Sequence, residues 1–430
     1  MIFNVLTVFR ELYMSPLKYG IVSKAIKTKK IKINLYSYSD FLKEKERIDD
    51  SQYGGDSGMV ITYDKASRAI DKIKKNNPET TIVFLSPKGK LLNNKLAIEL
   101  SKKRNITLVS GRYEGFDQRL IDNYADLELS IGDYILSGGD ISALAVIDSV
   151  SRMIDGVVGK RESVIKETFQ NSLLKNSVYT RPISFKKNRV PKVLSSGNHK
   201  KINEFNRSSS LNLTLNRRED LLEKANINIQ ERDELKKIKV ENNNSNIYLA
   251  LVHYPIQNKK GEIIKTSLTN LDIQDIARSC KTYGIKKYYI THPVKEQRKL
   301  AESVINYWED SEINRTENTK HDAIKLIEVT KSIKDAIKSI RLIHNKKPKI
   351  VATDARIMHN MVNYPELKET IELEDSPFLI LFGTGWGLTK EVLQNADYIL
   401  KPVGGYDNYN HLSVRSAVAI ILDRLFGCKF

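Results

Sequence analysis

The sequence predicts an α/β protein with two parallel-sheet domains and a small helical domain between them, on three observations. Short apolar runs alternate with helical stretches over residues 1–160, the same alternation restarts at Ile247, and the run Glu241 to Asn246 between them has no apolar residue. In chain order, Thr81 to Leu85 and Ile106 to Val109 read as buried strands. One ends in the turn Ser86-Pro87-Lys88-Gly89, the other in Ser110-Gly111-Arg112-Tyr113-Glu114-Gly115. Ser130 to Leu136 reads as a third strand, running into Ser137-Gly138-Gly139, and Ile141 to Met153 as a helix. Residues 161–178 read as a linker, 179–241 as a basic helical domain and 242–246 as a second linker. Residues 247–430 form the second α/β domain, with strands at Lys287 to Thr291, Lys349 to Ala352, Phe378 to Phe382 and Tyr398 to Leu400, and a closing helix from Ser413 to Phe426.

Composition narrows the partners. The 430 residues carry a net charge of +18, and residues 247–430 hold 27 Lys and Arg against 22 Asp and Glu, which leaves +13 on residues 1–246. An excess of Lys and Arg favours a polyanion through counterion release, so the first part is the better candidate for gripping nucleic acid. Two cysteines, Cys280 and Cys428, make no disulfide framework and no zinc spacing. No apolar run approaches a membrane span and Met1 to Arg10 lacks the pattern of a secretory signal, so no membrane partner and a cytoplasmic location are expected.

Glycine turns at strand ends suit a ligand that the backbone must approach closely, because without a Cβ the amide groups reach the ligand. A Walker loop and a GxGxxG opening a βαβ unit are both absent, which argues against ATPase and dinucleotide readings of the first half. The loop Gly383-Thr384-Gly385-Trp386-Gly387 has only 43 residues after it, too few for the remaining strands of an ordinary Rossmann methyltransferase.

Five motifs occur in one order: Arg112-Tyr113-Glu114-Gly115; Ser130-Ile131-Gly132-Asp133-Tyr134 with Ser137-Gly138-Gly139; Asp148-Ser149-Val150-Ser151-Arg152; Tyr179-Thr180-Arg181-Pro182; and Ser196-Gly197-Asn198-His199. Together they make residues 1–235 resemble the bacterial tRNA (guanine-N1)-methyltransferases of the SPOUT superfamily. That resemblance implies a deep trefoil knot, an exception to the rule against threaded chains. It also implies a homodimer with its site at the subunit interface, and methylation of the tRNA guanine just 3′ of the anticodon, position 37. It places S-adenosylmethionine against Leu85, Ser86, Pro87, Gly111, Tyr113, Glu114, Ile131, Gly132, Asp133, Tyr134, Ile135, Leu136, Gly138 and Gly139. Arg152 matches the arginine near guanine O6, and Glu167 stands where the family has an aspartate as base. Proton removal from a neutral N1 needs such a carboxylate, and the charge that develops needs a cation. Mg²⁺ is associated with these enzymes; DNA is not an expected partner.

The second half is similar to knotted RNA methyltransferases of the same superfamily, through Asp275-Ile276-Ala277-Arg278, Val351 to Arg356, Gly383 to Leu388, Leu400 to Gly405 and Asn410 to Ser416. The similarity implies a second S-adenosylmethionine site at Thr353, Gly383, Gly385, Gly387, Leu400, Pro402 and Leu412, with Arg278 a candidate for chemistry. The glycine loop carries Trp386 and no acid. The alternative therefore stays open that the second half, or both, binds cofactor or RNA, or builds a dimer, without transferring a methyl group.

Overall fold

A computed structural model describes all residues except 56, 159–166, 243–245, 311–317, 408 and 429. The chain divides into two compact units, 1–226 and 227–430. Both are α/β, each with a parallel sheet flanked by helices.

In the first unit, strands β1 (Ile2–Thr7), β2 (Lys32–Ser37), β3 (Thr81–Leu91), β4 (Asn105–Ser110) and β5 (Leu127–Ser130) form one sheet in the order β2-β1-β4-β3-β5. All four pairings are parallel. Hydrophobic clusters cover both faces, so the inner strands carry consecutive buried residues rather than an alternation of buried and exposed ones. The sequence reading named neither β1 nor β2. In β2, KINLYS, the apolar residues are interrupted by polar ones, as befits an edge strand half-covered on each face.

Two sequence expectations change here. The strand expected at Ser130 to Leu136 lies earlier, at Leu127–Ser130, and residues 131–139 leave the sheet as an irregular loop. β3 does not stop at Leu85: it resumes after a shift of register between Leu85 and Lys90, beside β5. Gly89 allows this close passage, since a Cβ there would lie 2.3 Å from the Leu129 backbone nitrogen.

The helix after the loop, Asp140–Arg152, buries Ala143, Val146, Ile147 and Val150, a stripe at helical spacing. Asp140 opens it and Arg152 closes it, both in the sense the helix dipole favours. Beyond residues 159–166, Leu173 is buried and Leu174 N–H donates to Thr214 Oγ1 of the helix His199–Arg217. Asn198 caps that helix by accepting from the Lys201 N–H. Of the segment read as a linker, residues 161–166 lie outside the described residues and 173–177 dock on this helix.

The second unit includes the helix Ile229–Asn242. Its sheet contains β6 (Ile247–Val252), β7 (Lys287–Thr291), β8 (Ile327–Thr330), β9 (Lys349–Thr353), β10 (Phe378–Gly383) and β11 (Tyr398–Leu400). They are ordered β8-β7-β6-β10-β9-β11, all parallel. Every residue of β6 is buried, which fits its central place and its uninterrupted IYLALV. A short hairpin, Ile256–Gln257 with Ile263–Ile264, follows β6. Among the described residues no helix is long and apolar enough to cross a membrane.

Candidate active site

The C-terminal ends of parallel strands leave backbone amides and loops pointing one way, and the first unit gathers three loops there. They are Leu85 to Lys88 within β3, Gly111 to Phe116 after β4, and Ser130 to Gly139 after β5. They enclose a cleft of about 420 Å³, within the range of small-molecule sites.

Thirteen of the fourteen residues expected there line it: Leu85, Ser86, Pro87, Gly111, Tyr113, Glu114, Ile131, Gly132, Tyr134, Ile135, Leu136, Gly138 and Gly139. Asp133 is not among the lining residues. Glycine is required where the loops touch. Gly139 N–H donates to Gly111 O at 2.8 Å, and Arg112 pairs with Gly138 in an isolated antiparallel bridge. A Cβ on Gly139 would meet Gly111 N and Ser110 Cα at 3.1 Å, and one on Gly138 would meet Arg112 Nε at 2.8 Å.

Beneath the cleft a polar knot of side chains holds the loops together. Asp140 is buried and accepts from Thr7 Oγ1 at 2.6 Å, Tyr13 OH at 3.0 Å and an Arg112 terminal nitrogen at 3.0 Å. Tyr13 OH also lies 3.2 Å from Ser110 Oγ. Burial, then the nearby Asp140 charge, pushes the Tyr13 hydroxyl far above its ordinary range, so it stays a neutral donor. The Arg112 guanidinium stacks on Phe9 at 4.6 Å from the ring centre. Sequence reading missed Thr7, Tyr13 and Asp140, because they stand far from the glycine motifs or look like ordinary core and helix-start residues.

Arg152 and Glu167 are paired: one terminal nitrogen of Arg152 lies 2.7 and 2.9 Å from the two carboxylate oxygens of Glu167. Neither lines the cleft of its own chain. Asp140 sits under the cleft while Arg152 ends the same 13-residue helix, about 18 Å further along at 1.5 Å per residue.

In the second unit, loops at the ends of β9, β10 and β11 hold the expected residues. Gly383 has no room for a Cβ, which would lie 2.8 Å from Leu388 N. Gly385 and Gly387 have φ of +57° and +96°, a region that suits glycine, and they flank the exposed Trp386. Leu400 is buried at the end of β11, and Thr353 Oγ1 donates to Leu381 O, which ties β9 to β10. Asn410 Nδ2 donates to Ala355 O, which brings the loop carrying Leu412 to the end of β9. Pro402 follows β11 directly. Arg278 stands on the helix Asn270–Thr282 beside Gln274, Trp308 and Ile324, among residues that include none of the three loops.

Residues 1–224 match the family model described as tRNA (guanine-1)-methyltransferase, a span of more than half the chain. The chain belongs to that family. Residues 246–427 match a second model, described as SAM-dependent RNA methyltransferase. Two curated relatives, both called tRNA (guanine-N(1)-)-methyltransferase, match over almost the full length of both chains. One, from Nitratidesulfovibrio vulgaris, is 38% identical over 425 residues, 99% of each chain. The other, from Oleidesulfovibrio alaskensis, is 36% identical over 426 residues, again 99% of each. A relative with the same name from Caldanaerobacter subterraneus is 44% identical over 235 residues, 54% of this chain and 96% of its own. Relatives of the same name thus include proteins that match almost the whole of this chain and one that matches about half of it.

The residues of this family member fit the methyl donor the second model names. In the first unit they leave a cleft of suitable size, lined by five glycines, of which Gly138 and Gly139 stand where a Cβ would press on the neighbouring loop. Among the described residues no three His, Cys, Asp or Glu side chains gather as a metal site.

Proposed function

We propose that the first unit methylates N1 of guanine 37 in tRNA with S-adenosylmethionine, and that the second unit carries an S-adenosylmethionine site of its own for an RNA substrate. The observation that carries the first statement is the meeting of Gly138 and Gly139 with Gly111 and Arg112, which joins two of the three cleft loops into one cradle. The same crossing supports a trefoil-threaded chain, since residues 138–139 are held against the turn that follows β4. When bound, S-adenosylmethionine supplies a methyl group on a sulfonium, a strong electrophile that needs no activation by the protein.

The protein then has to deprotonate and orient the guanine. Glu167 is the proposed base for the N1 proton, and Arg152 the cation facing O6 as negative charge spreads there. The contact of one Arg152 nitrogen with both Glu167 carboxylate oxygens aligns the two groups before substrate arrives. Because Arg152 lies about 15 Å along the helix from Ser142, which lines the cleft of its own chain, we place the pair against the cleft of a second copy, in a homodimer. The basic segment around Arg181, Lys186, Lys187 and Arg189, with the helix His199–Arg217, is the proposed tRNA grip, in the cytoplasm where tRNA is. Mg²⁺ is carried from the resemblance alone; loss of turnover in EDTA, restored by Mg²⁺, is its check.

The deciding experiment incubates the full chain with tRNA and S-adenosylmethionine and maps the modified nucleosides by mass spectrometry. N1-methylguanosine at position 37 that disappears in the Gly139→Val variant supports the assignment, and its absence with wild-type protein sinks it. A second reading, that the second unit binds without transferring, is favoured by one observation: its glycine loop carries Trp386 and no acid. A second methylated nucleoside lost in Gly385→Val would end that reading.

A further inference from the structure

The second unit contains a buried hydrogen-bond chain that ends inside its glycine loop. His253 follows the last residue of the central strand β6 and is fully buried. Its Nδ1 lies 3.0 Å from Thr266 Oγ1, which in turn is hydrogen-bonded to Thr384 Oγ1, and Thr384 Oγ1 donates to Val252 O at 3.1 Å. The hydrogens can be placed from the acceptor end. A carbonyl only accepts, so the Thr384 hydroxyl hydrogen goes to Val252 O, and Thr384 Oγ1 then accepts from Thr266. Thr266 Oγ1, having given its hydrogen away, accepts from His253 Nδ1–H. The reverse direction gives up the bond to Val252 O and leaves an Nε2–H donor buried, since among the described residues Nε2 has no hydrogen-bond partner. His253 is thereby assigned the Nδ1–H tautomer, with a bare lone pair on Nε2.

His292, whose ring centre is 5.4 Å from that of His253, is fixed the opposite way. Its Nδ1 accepts from Val294 N–H and its Nε2 donates to Thr266 O. Burial, with His292 adding to it, drives His253 down to about 4, so the neutral ring is the working form.

All of these bonds converge on Thr266 and Thr384. Thr266 also packs its methyl 3.3 Å from the place where a Gly385 Cβ would stand. On the other flank Gln257 N–H donates to Gly387 O at 3.0 Å, and Leu388 bridges Ile256. The hairpin after β6 is thus a buttress for the Gly383 to Leu388 turn, and the imidazole is its inner pin.

We propose that His253, through Thr266 and Thr384, is a positioning residue that sets the glycine loop of the second unit for its cofactor. This rests on the reading of that loop as an S-adenosylmethionine site, and the test separates the two. S-adenosylmethionine binding to the full chain is measured by calorimetry for wild type, Gly385→Val, and the His253→Leu, His253→Asn and His253→Gln variants. If Gly385→Val leaves the stoichiometry of wild type unchanged, the cofactor reading of the loop fails, whatever His253 does.

With that reading standing, His253→Leu is expected to weaken the second site at least tenfold and leave the first untouched. Asn, whose amide N–H mimics Nδ1–H, should restore it to within about threefold, and Gln, which mimics Nε2, should not. Wild-type affinity in His253→Leu, or rescue by Gln as good as by Asn, overturns the proposal. Nitrogen NMR of histidine-labelled wild-type chain gives an arm independent of any variant's folding: the His253 signals must be those of the Nδ1–H tautomer, and Nε2–H signals overturn it.

Discussion

Asp140 makes the bottom of the first cleft a matter of single atoms. One carboxylate serves a threonine, a tyrosine and an arginine that come from three different segments. Replacing it with alanine strands the Arg112 charge and two buried hydroxyls, so Asp140→Ala is expected to cost about 3 kcal/mol in urea unfolding and to weaken S-adenosylmethionine binding as well. Glu167→Gln behaves differently. It keeps the shape and a hydrogen bond to Arg152 but cannot take a proton, so turnover should fall 100-fold or more with cofactor affinity within a factor of two, measured by single-turnover assay and calorimetry.

The second unit supplies a pH effect from His253. Its folded value is depressed to about 4 while an unfolded histidine titrates near 6.5, so below 6.5 the unfolded chain takes up the proton first. Stability from this group is complete above about 6.5 and is lost as pH falls towards 4, by roughly 3 kcal/mol. The nearby Asp272 opposes the shift, whereas His292 adds to it. Urea midpoints between pH 4 and 7 should show this slope in wild type and a flatter one in His253→Asn.

Among elements, the junction of β3 and β5 shows what sequence periodicity can and cannot tell. Thr81 to Leu85 was legible as a strand because five apolar or β-branched residues stand together. Its continuation through Ser86-Pro87-Lys88-Gly89 was not, since those residue types normally mark a turn. Only the passage of β5 against Gly89 makes the continuation favourable. A Gly89→Ala change sets a methyl 2.3 Å from Leu129 N, and should destabilise the chain by about 2 kcal/mol or more in thermal or urea unfolding.

The helix Asp140–Arg152 was legible from its apolar stripe, and the strands Lys287–Thr291 and Tyr398–Leu400 to the residue, because dense apolar runs between polar flanks leave one solution. The strand expected at Ser130 to Leu136 was misplaced since Ile131, Tyr134, Ile135 and Leu136 are apolar for a different purpose. They line the cleft instead of entering the sheet. The glycines that line the cleft were legible as motifs, whereas the network below it, joining residues up to 133 positions apart, leaves no local pattern.

Taken as a whole, the chain concentrates its positive charge on residues 1–246, +13 of +18. Affinity for tRNA should therefore fall steeply with salt, and reversing Lys186 and Lys187 to Glu should both weaken it and flatten its salt dependence, read by filter binding across a salt series. The proposed homodimer makes a sharper prediction. A chain with a ruined cleft, Gly139→Val, and a chain with a ruined base, Glu167→Gln, should each be inactive alone. Unfolded and refolded together, they should recover about a quarter of wild-type activity, since half the dimers are mixed and each of those has one intact site. No recovery would mean that the cleft and the pair of one chain work together.

The carboxylate at position 140 reaches back to residues 7 and 13, so the opening stretch of the polypeptide is finished only when its 140th residue arrives. During synthesis the cleft, the proposed cradle of the donor, cannot assemble piecemeal. A ribosome that stalls before this point leaves a product with the strands of the sheet and no place for the donor, and such fragments should neither bind it nor be stabilised by it.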